Sequence, residues 1–418
     1  MSKISTVILV ICYLTSTYLF SQHSEKCAHK AFRDAAIAKN PAILEIAKQN
    51  ERLIQQAINQ LPTQKTNNHI TIPVVFHIIY NTPEQNVADV RVTEQLDVLN
   101  ADFEAANTDK SIVPTPFQAL IANSEIQFCL AKTDPIGNTT TGITRTQTQV
   151  DTFNKDKTKW LFYTDSGGVN IWNPKQYLNI YVCPIEATTL GFASFPDMGQ
   201  VTPAEDGVVI NFWAFGKTGS TAPNNLGRTA THEVGHYLNL FHIWGDENCG
   251  NDSVADTPEQ ADKNDGCPTF PKPSNCPNNG PNGDLYNNYM DYTDDNCTVM
   301  FTKGQAARMN AALQIPWRNT LTTATACNMV STEKLINPQT HLKVYPNPAH
   351  NQLFVELNTN ETATFSLHDA LGKVVYTNNI TTNGLTTNTI DLSKLNAGIY
   401  NLTVRIGNQT NLKRVVVK

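Results

Sequence analysis

His232, Glu233, His236 and His242 fall within eleven residues of one another and carry the clearest chemistry in this 418-residue chain. Two histidines four apart share one face of a helix, about 6 Å apart along its axis. Two imidazoles so placed can grip one Zn²⁺, and His242 can complete the set if the chain turns sharply after His236. Three protein ligands leave one position open, the layout of a catalytic rather than a structural zinc site. Glu233 follows the first ligand, where a carboxylate can take a proton from the attacking water. Two solvated histidines on an ordinary amphipathic helix are the bland reading of the five-residue string. The third histidine at its offset weakens that reading.

These side chains need a helix and a core behind it. Leu226, Ala230, Val234, Leu238 and Phe241 recur at spacings of three and four, an apolar stripe for packing. Upstream, Ile70 to Tyr80 is rich in β-branched and aromatic residues and predicts a central strand. Val92 to Phe103 has helical spacing, and Glu125 to Ala131, Tyr177 to Cys183 and Gly207 to Trp213 read as further strands. This order predicts an α/β (α+β) catalytic domain with a mixed twisted sheet backed by helices, the active-site helix among them. Gly191 to Phe195 reads as an edge strand, either ordinary or one to which an extended substrate adds itself.

The chain is long enough for two or three domains, and 40% hydrophobic residues suffice for ordinary cores. A net charge of −6 gives no reason to propose nucleic acid or an anionic membrane as partner. Lys3 followed by an apolar run from Val7 toward Phe20 reads as a secretory signal over residues 1–21, with cleavage after Ser21 or Gln22. The run is short for a membrane anchor, and no other segment is long enough to span a bilayer once the signal is removed. Eight cysteines remain beyond the signal, and an even count in an exported chain suggests disulfides. Cys249, Cys267, Cys276 and Cys297 crowd a loop-rich stretch too poor in apolar residues to hold itself by burial. They allow three pairings.

Residues 22–62 read as a removable prosegment, helical from Ala31 to Leu61 with an interruption near Pro41. Cys27 lies just before this helix. Its thiolate could fill the fourth zinc position and keep the site latent, or it could form a disulfide, with Cys327 as one partner. The catalytic domain is expected over residues 63–328 and a polar linker over 329–341. Residues 342–418 hold short alternating strands at Leu353–Leu357, Ala363–His368, Val374–Thr377, Thr389–Leu392, Gly398–Val404 and Leu412–Val417. They predict a small all-β sandwich.

The histidine run, together with Val254-Ala255-Asp256-Thr257-Pro258 and Asn288-Tyr289-Met290-Asp291-Tyr292, resembles the pappalysin (cytophagalysin) family of the metzincin clan over roughly residues 70–315. The resemblance implies a metzincin-like fold and a zinc endopeptidase with His232, His236 and His242 as ligands and Glu233 as general base. It implies that Met290 forms a methionine turn beneath the histidines, and that Tyr292 stands near the metal and stabilises the oxyanion. A buried structural tyrosine is the alternative for Tyr292. The resemblance favours disulfides Cys249–Cys276 and Cys267–Cys297. It also implies calcium near the oxygen-rich set Asp246, Asp252, Asp256 and Thr257. Asp295 stands near the wall of the pocket for the residue after the scissile bond, where it would favour Arg or Lys. One position departs: Asn239 replaces the usual Gly where a left-handed turn is needed, and Asn tolerates that conformation best among the other residues.

Asp391-Leu392-Ser393, Ala397-Gly398-Ile399-Tyr400 and the terminal Lys413 to Lys418 resemble the C-terminal sorting domain of the type IX secretion system. That resemblance implies the secretion machinery as a partner and export to the medium or cell surface of a Gram-negative bacterium. The expected function is a secreted zinc endopeptidase acting on protein or peptide substrates. The rivals are a non-enzymatic surface adhesin or calcium-stabilised binding protein on a protease-like fold, and a zinc hydrolase of non-peptide amides.

Overall fold

A computed structural model describes residues 26–60, 69–154, 161–327, 342–369, 374–406 and 409–418. The expected signal peptide, the linker and the boundary at residues 62 and 63 lie outside the described residues.

In chain order the first domain contains α1 (His29–Lys39), α2 (Ala42–Gln60), β1 (Ile70–Tyr80), α3 (Asp89–Phe103), α4 (Thr115–Gln118), β2 (Ile126–Leu130) and β3 (Ile143–Gln147). Then follow β4 (Leu178–Cys183), β5 (Gly191–Ala193), α5 (Pro196–Val201), β6 (Val208–Asn211), α6 (Arg228–Tyr237) and α7 (Lys303–Ala312). The sheet runs β2–β1–β4–β6–β5, with β3 also on β1. β2 pairs with the first half of β1 and β3 with the second, both parallel. β4 and β6 continue the parallel set, and β5 closes the edge antiparallel to β6. β1 is buried along Ile72–Ile79, as a strand covered on both faces must be. The sheet is therefore mixed, as expected.

α3 and α6 share the main core with the sheet: Val92, Leu99 and Phe103 pack in one cluster with Ala230, Val234, Ile78 and Val182. Asp102 on α3 accepts from Thr231 Oγ1 at 2.7 Å and faces Arg228 at 3.2 Å, which fixes α6 against α3. The predicted prosegment helix is split in two, α1 and α2, at Asn40 and Pro41, because proline cannot continue a helix interior. α2 rests on α5 and α7, with Ile54 among Ala311, Ala312 and Ile315.

Three disulfides brace this domain. Cys249–Cys276 and Cys267–Cys297 are the pairs the resemblance favoured. The third, Cys129–Cys327, ties β2 to the last described turn, beside the Lys132 N–Ala326 O bond of 2.7 Å. It corrects one expectation. Cys327 is not the partner of Cys27, which is a buried free thiol.

Among the described residues the C-terminal domain has seven antiparallel strands: β7 (Leu342–Tyr345), β8 (Gln352–Thr359), β9 (Thr362–His368), β10 (Val374–Thr381), β11 (Gly384–Asp391), β12 (Gly398–Ile406) and β13 (Gln409–Val417). They form one sheet ordered β10–β9–β12–β13 and another ordered β11–β8–β7. Leu353, Val355 and Leu357 of the smaller sheet meet Phe365, Leu367, Leu402 and Val404 of the larger in one core. This is the expected sandwich, with alternate residues buried. No helix among the described residues is long and apolar enough to cross a membrane.

Candidate metal centre

α6 carries His232, Glu233 and His236, all buried. The helix ends at Tyr237, and Asn239 turns the chain with φ of 73°, the left-handed conformation expected of it. Leu240 N then returns to Gly235 O at 2.9 Å, and His242 is delivered back to the helix. The result is a triad of ring nitrogens. His236 Nε2 lies 3.1 Å from His232 Nε2 and 3.2 Å from His242 Nε2.

Each ring is held from behind. His232 Nδ1 donates to Tyr289 O and His236 Nδ1 to Leu240 O, both at 2.7 Å. His242 Nδ1 bonds Asp246 Oδ1, and its ring stacks on Trp244 with centroids 4.3 Å apart. A carbonyl can only accept, so Nδ1 of His232 and of His236 carries the proton and Nε2 presents its lone pair. Burial pushes His232 down to about 3 and His236 well below the ordinary histidine range, so both rings stay neutral. Ligands around one tetrahedral zinc would stand about 3.3 Å apart, given bond lengths of about 2.0 to 2.1 Å. Neutral rings, oriented lone pairs and this spacing fit a metal ion.

Met290 lies beneath the helix. A Cβ on Gly235 would stand 2.6 Å from Met290 Sδ, so the small residue at the second x of the motif makes room for the methionine. Asn288 fixes the turn: it exchanges two bonds with Gln305 on α7, and its Oδ1 accepts from Met290 N. Tyr292 sets its ring edge-on to His242, with centroids 5.0 Å apart, and its hydroxyl donates to Cys27 O at 3.0 Å.

Glu233 faces the same centre. Burial lifts its carboxyl to about 8, against the opposing effect of the Cys27 hydrogen bond. Cys27 Sγ stands 3.4 Å from Glu233 Oε2, and its donor atom and the three histidine nitrogens all lie within 4.8 Å of one another. The segment carrying Cys27 is seated on the sheet edge. Leu190 N donates to Lys26 O at 2.8 Å and Ala28 N to Gly191 O at 3.0 Å, a parallel bridge along β5. The edge strand thus meets this segment of its own chain in a single bridge at Gly191.

The remaining predicted residues take separate places. Asp246 orients His242 and lies 3.5 Å from His29. Asp252 accepts from Thr257 Oγ1 and Val254 N. Asp256 accepts from Thr302 Oγ1 and Gly304 N at the start of α7. Asp295 lines the pocket beside His232 and Glu233. Its Oδ2 accepts from Leu226 N at 2.7 Å and Arg228 N at 3.3 Å, where α6 begins. Sequence reasoning passed over three contributors. Gly191 leaves space for Glu233, whose Cγ a Cβ there would meet at 2.9 Å. Arg308 holds Asn239 from α7, and Arg228 ties the start of α6 to Asp109, Tyr289 and Thr298. A glycine opening the edge strand was a usable signal. Nothing local pointed to the arginines.

Residues 164–314 match the peptidase M43 family, described as pregnancy-associated plasma protein-A. An extracellular metalloprotease of Verticillium alfalfae is 32% identical over 58% of this chain and 77% of its own length. The chain belongs to this metalloprotease family. Among solved structures, Tannerella forsythia promirolysin, as a mutant, is 41% identical, with TM-score 0.66 over 71% of this chain and 97% of that one. Mature mirolysin with a cleaved peptide is 44% identical, with TM-score 0.59 over 62% of this chain and 97% of that one. Residues 343–418 match a secretion system C-terminal sorting domain. The family member described here is accordingly a metalloprotease destined for secretion or the cell surface. The reading as a non-enzymatic surface protein is set aside.

Proposed function

We propose that this metalloprotease is a zinc-dependent endopeptidase made as a latent precursor, with Glu233 as its general base. The convergence of three Nε2 atoms, each with its Nδ1 already committed, carries the reading. His232, His236 and His242 would hold the ion. Zinc there would supply Lewis acidity, lowering the pKa of water to about 7 and polarising the scissile carbonyl. Glu233 takes a proton from the attacking water and returns it to the leaving amine. Tyr292 donates to the developing oxyanion once its hydroxyl is released from Cys27 O.

Residues 22–62 are the segment to be removed. Cys27 would be the fourth ligand of the precursor, where thiolate would exclude the water, and its Sγ within 4.8 Å of the histidine nitrogens supports this. The larger share of this chain covered by promirolysin than by mature mirolysin supports a removable prosegment. Lys26 supports Asp294 and Asp295 as a wall that favours basic side chains. Its Nζ lies 3.5 Å from Asp294 Oδ1 and donates to Tyr292 O at 2.7 Å. The loop holding Asp252, Asp256 and Thr257 is the place to test for calcium, by thermal shift on titration. The decisive experiment is hydrolysis of casein by the processed protein with zinc, with chelator, and as Glu233→Ala. Activity that survives chelation or the substitution refutes the proposal.

A further inference from the structure

Arg33 marks a second binding position in the cleft. Its Nη2 donates to Asp197 Oδ2 at 2.7 Å, and its guanidinium carbon stands 4.9 Å from the centre of Phe195 and 5.8 Å from that of Phe241. A buried carboxylate beside two aromatic rings suits a planar guanidinium, which stacks and donates directionally, better than a lysine ammonium. The position adjoins the metal centre, because Phe195 lies 5.6 Å from the ring of His236. Asp295 lines the pocket at His232 and Glu233, whereas this position adjoins His236 through Phe195, so the two carboxylates meet different ligands of the centre. Lys26 lines the Asp295 pocket, Cys27 stands at the histidines, and Arg33 reaches Asp197.

Asp197 is 2% exposed with Arg33 in place. Arg318, a buried cation that also feels Asp197, is already held by both carboxylate oxygens of Asp206. Removing Arg33 therefore uncovers a carboxylate that favours a new cation. The fit of Arg33 is incomplete, since its buried Nε has no hydrogen-bond partner.

We infer that Asp197, Phe195 and Phe241 form an arginine-binding subsite of the mature cleft, occupied in the precursor by Arg33. Substrates would place arginine there, on the side of the scissile bond away from Asp295. The inference rests on the endopeptidase reading and on removal of residues 22–62. Its test uses the processed enzyme and fluorogenic peptides in which one arginine is walked across both sides of the scissile bond. Each arginine peptide is compared with its citrulline counterpart, which keeps the shape and loses the charge. At one position away from the Asp295 side, arginine should raise kcat/KM about tenfold over citrulline, a gap of the size expected of one charge-assisted bond. Asp197→Asn should close the gap, and Phe241→Leu should narrow it. The wild-type comparison needs no variant to fold. Equal rates at every such position, or a gap that survives Asp197→Asn, would overturn the subsite while leaving the endopeptidase standing. No cleavage of any peptide would sink the endopeptidase reading and this inference with it.

Discussion

Arg308 grips Asn239 twice, through Nε to its backbone carbonyl at 2.8 Å and through Nη2 to its side-chain Oδ1 at 2.6 Å. Asn239 is the one motif position that departs from the family pattern, and it must adopt a left-handed conformation. The clasp uses its amide to hold that conformation and so aims His242. Glu51 of α2 pairs with the far side of the same guanidinium at 2.6 and 3.0 Å.

Arg308→Met should therefore weaken metal binding about tenfold, the lower range for losing a group that orients a ligand. Asn239→Gly should retain metal, because glycine takes positive φ without help. Competition with a chromogenic chelator measures both. Equal affinity in Arg308→Met would show that the turn holds itself.

Gly235→Ala should destabilise the protein by about 1 to 3 kcal/mol, the usual cost of overpacking. Its Cβ would meet Met290 Sδ, and the helix-propensity gain of alanine offsets only part of that. Thermal denaturation of Gly235→Ala, Met290→Ala and the double variant checks this. The two substitutions should couple, since the second removes the atom the first strikes.

The carboxyl of Glu233, raised by burial to about 8, makes the stability of the metal-free precursor depend on pH. Its folded pKa lies above the ordinary value, so the protonated form is favoured by folding. That contribution is complete below about pH 4.5 and is lost as pH rises through about 8. The melting temperature of chelated precursor should fall across this window. Glu233→Gln, permanently neutral, should flatten the fall. An identical slope in the variant would assign it to other groups.

Cys27→Ala should shorten latency. The precursor should show hydrolysis before removal of residues 22–62, because the thiol that faces the three histidines and Glu233 is gone. Lys26, Arg33 and Glu51 would still hold the segment, so activity should be partial. Unchanged latency would reduce Cys27 to packing.

Much of the architecture is legible in the sequence. β1 coincides with the apolar run Ile70–Tyr80, because a strand covered on both faces must be continuously hydrophobic. β3 at Ile143–Gln147 was not foreseen. Its polar sequence, ITRTQ, lacks the alternation that marks a strand, and pairing along β1 makes it one. α7 was also missed, yet it supplies Arg308 and Gln305, which steady the turn after α6 and the methionine turn. Asp246 read as an oxygen donor for calcium, and its place on His242 depends on how the chain doubles back.

By itself, the sequence determined which atoms could do chemistry: helical spacing places His232 and His236 on one face and Glu233 beside them, a local consequence of backbone geometry. Tertiary structure decided what those atoms face. The Nδ1 partner from Tyr289, the Met290 packing under Gly235, the Cys129–Cys327 bond and the seat of Cys27 all join residues far apart in the chain. Burial and hydrogen bonding across such separations are set by packing of the whole domain, and only there do three histidines become one site.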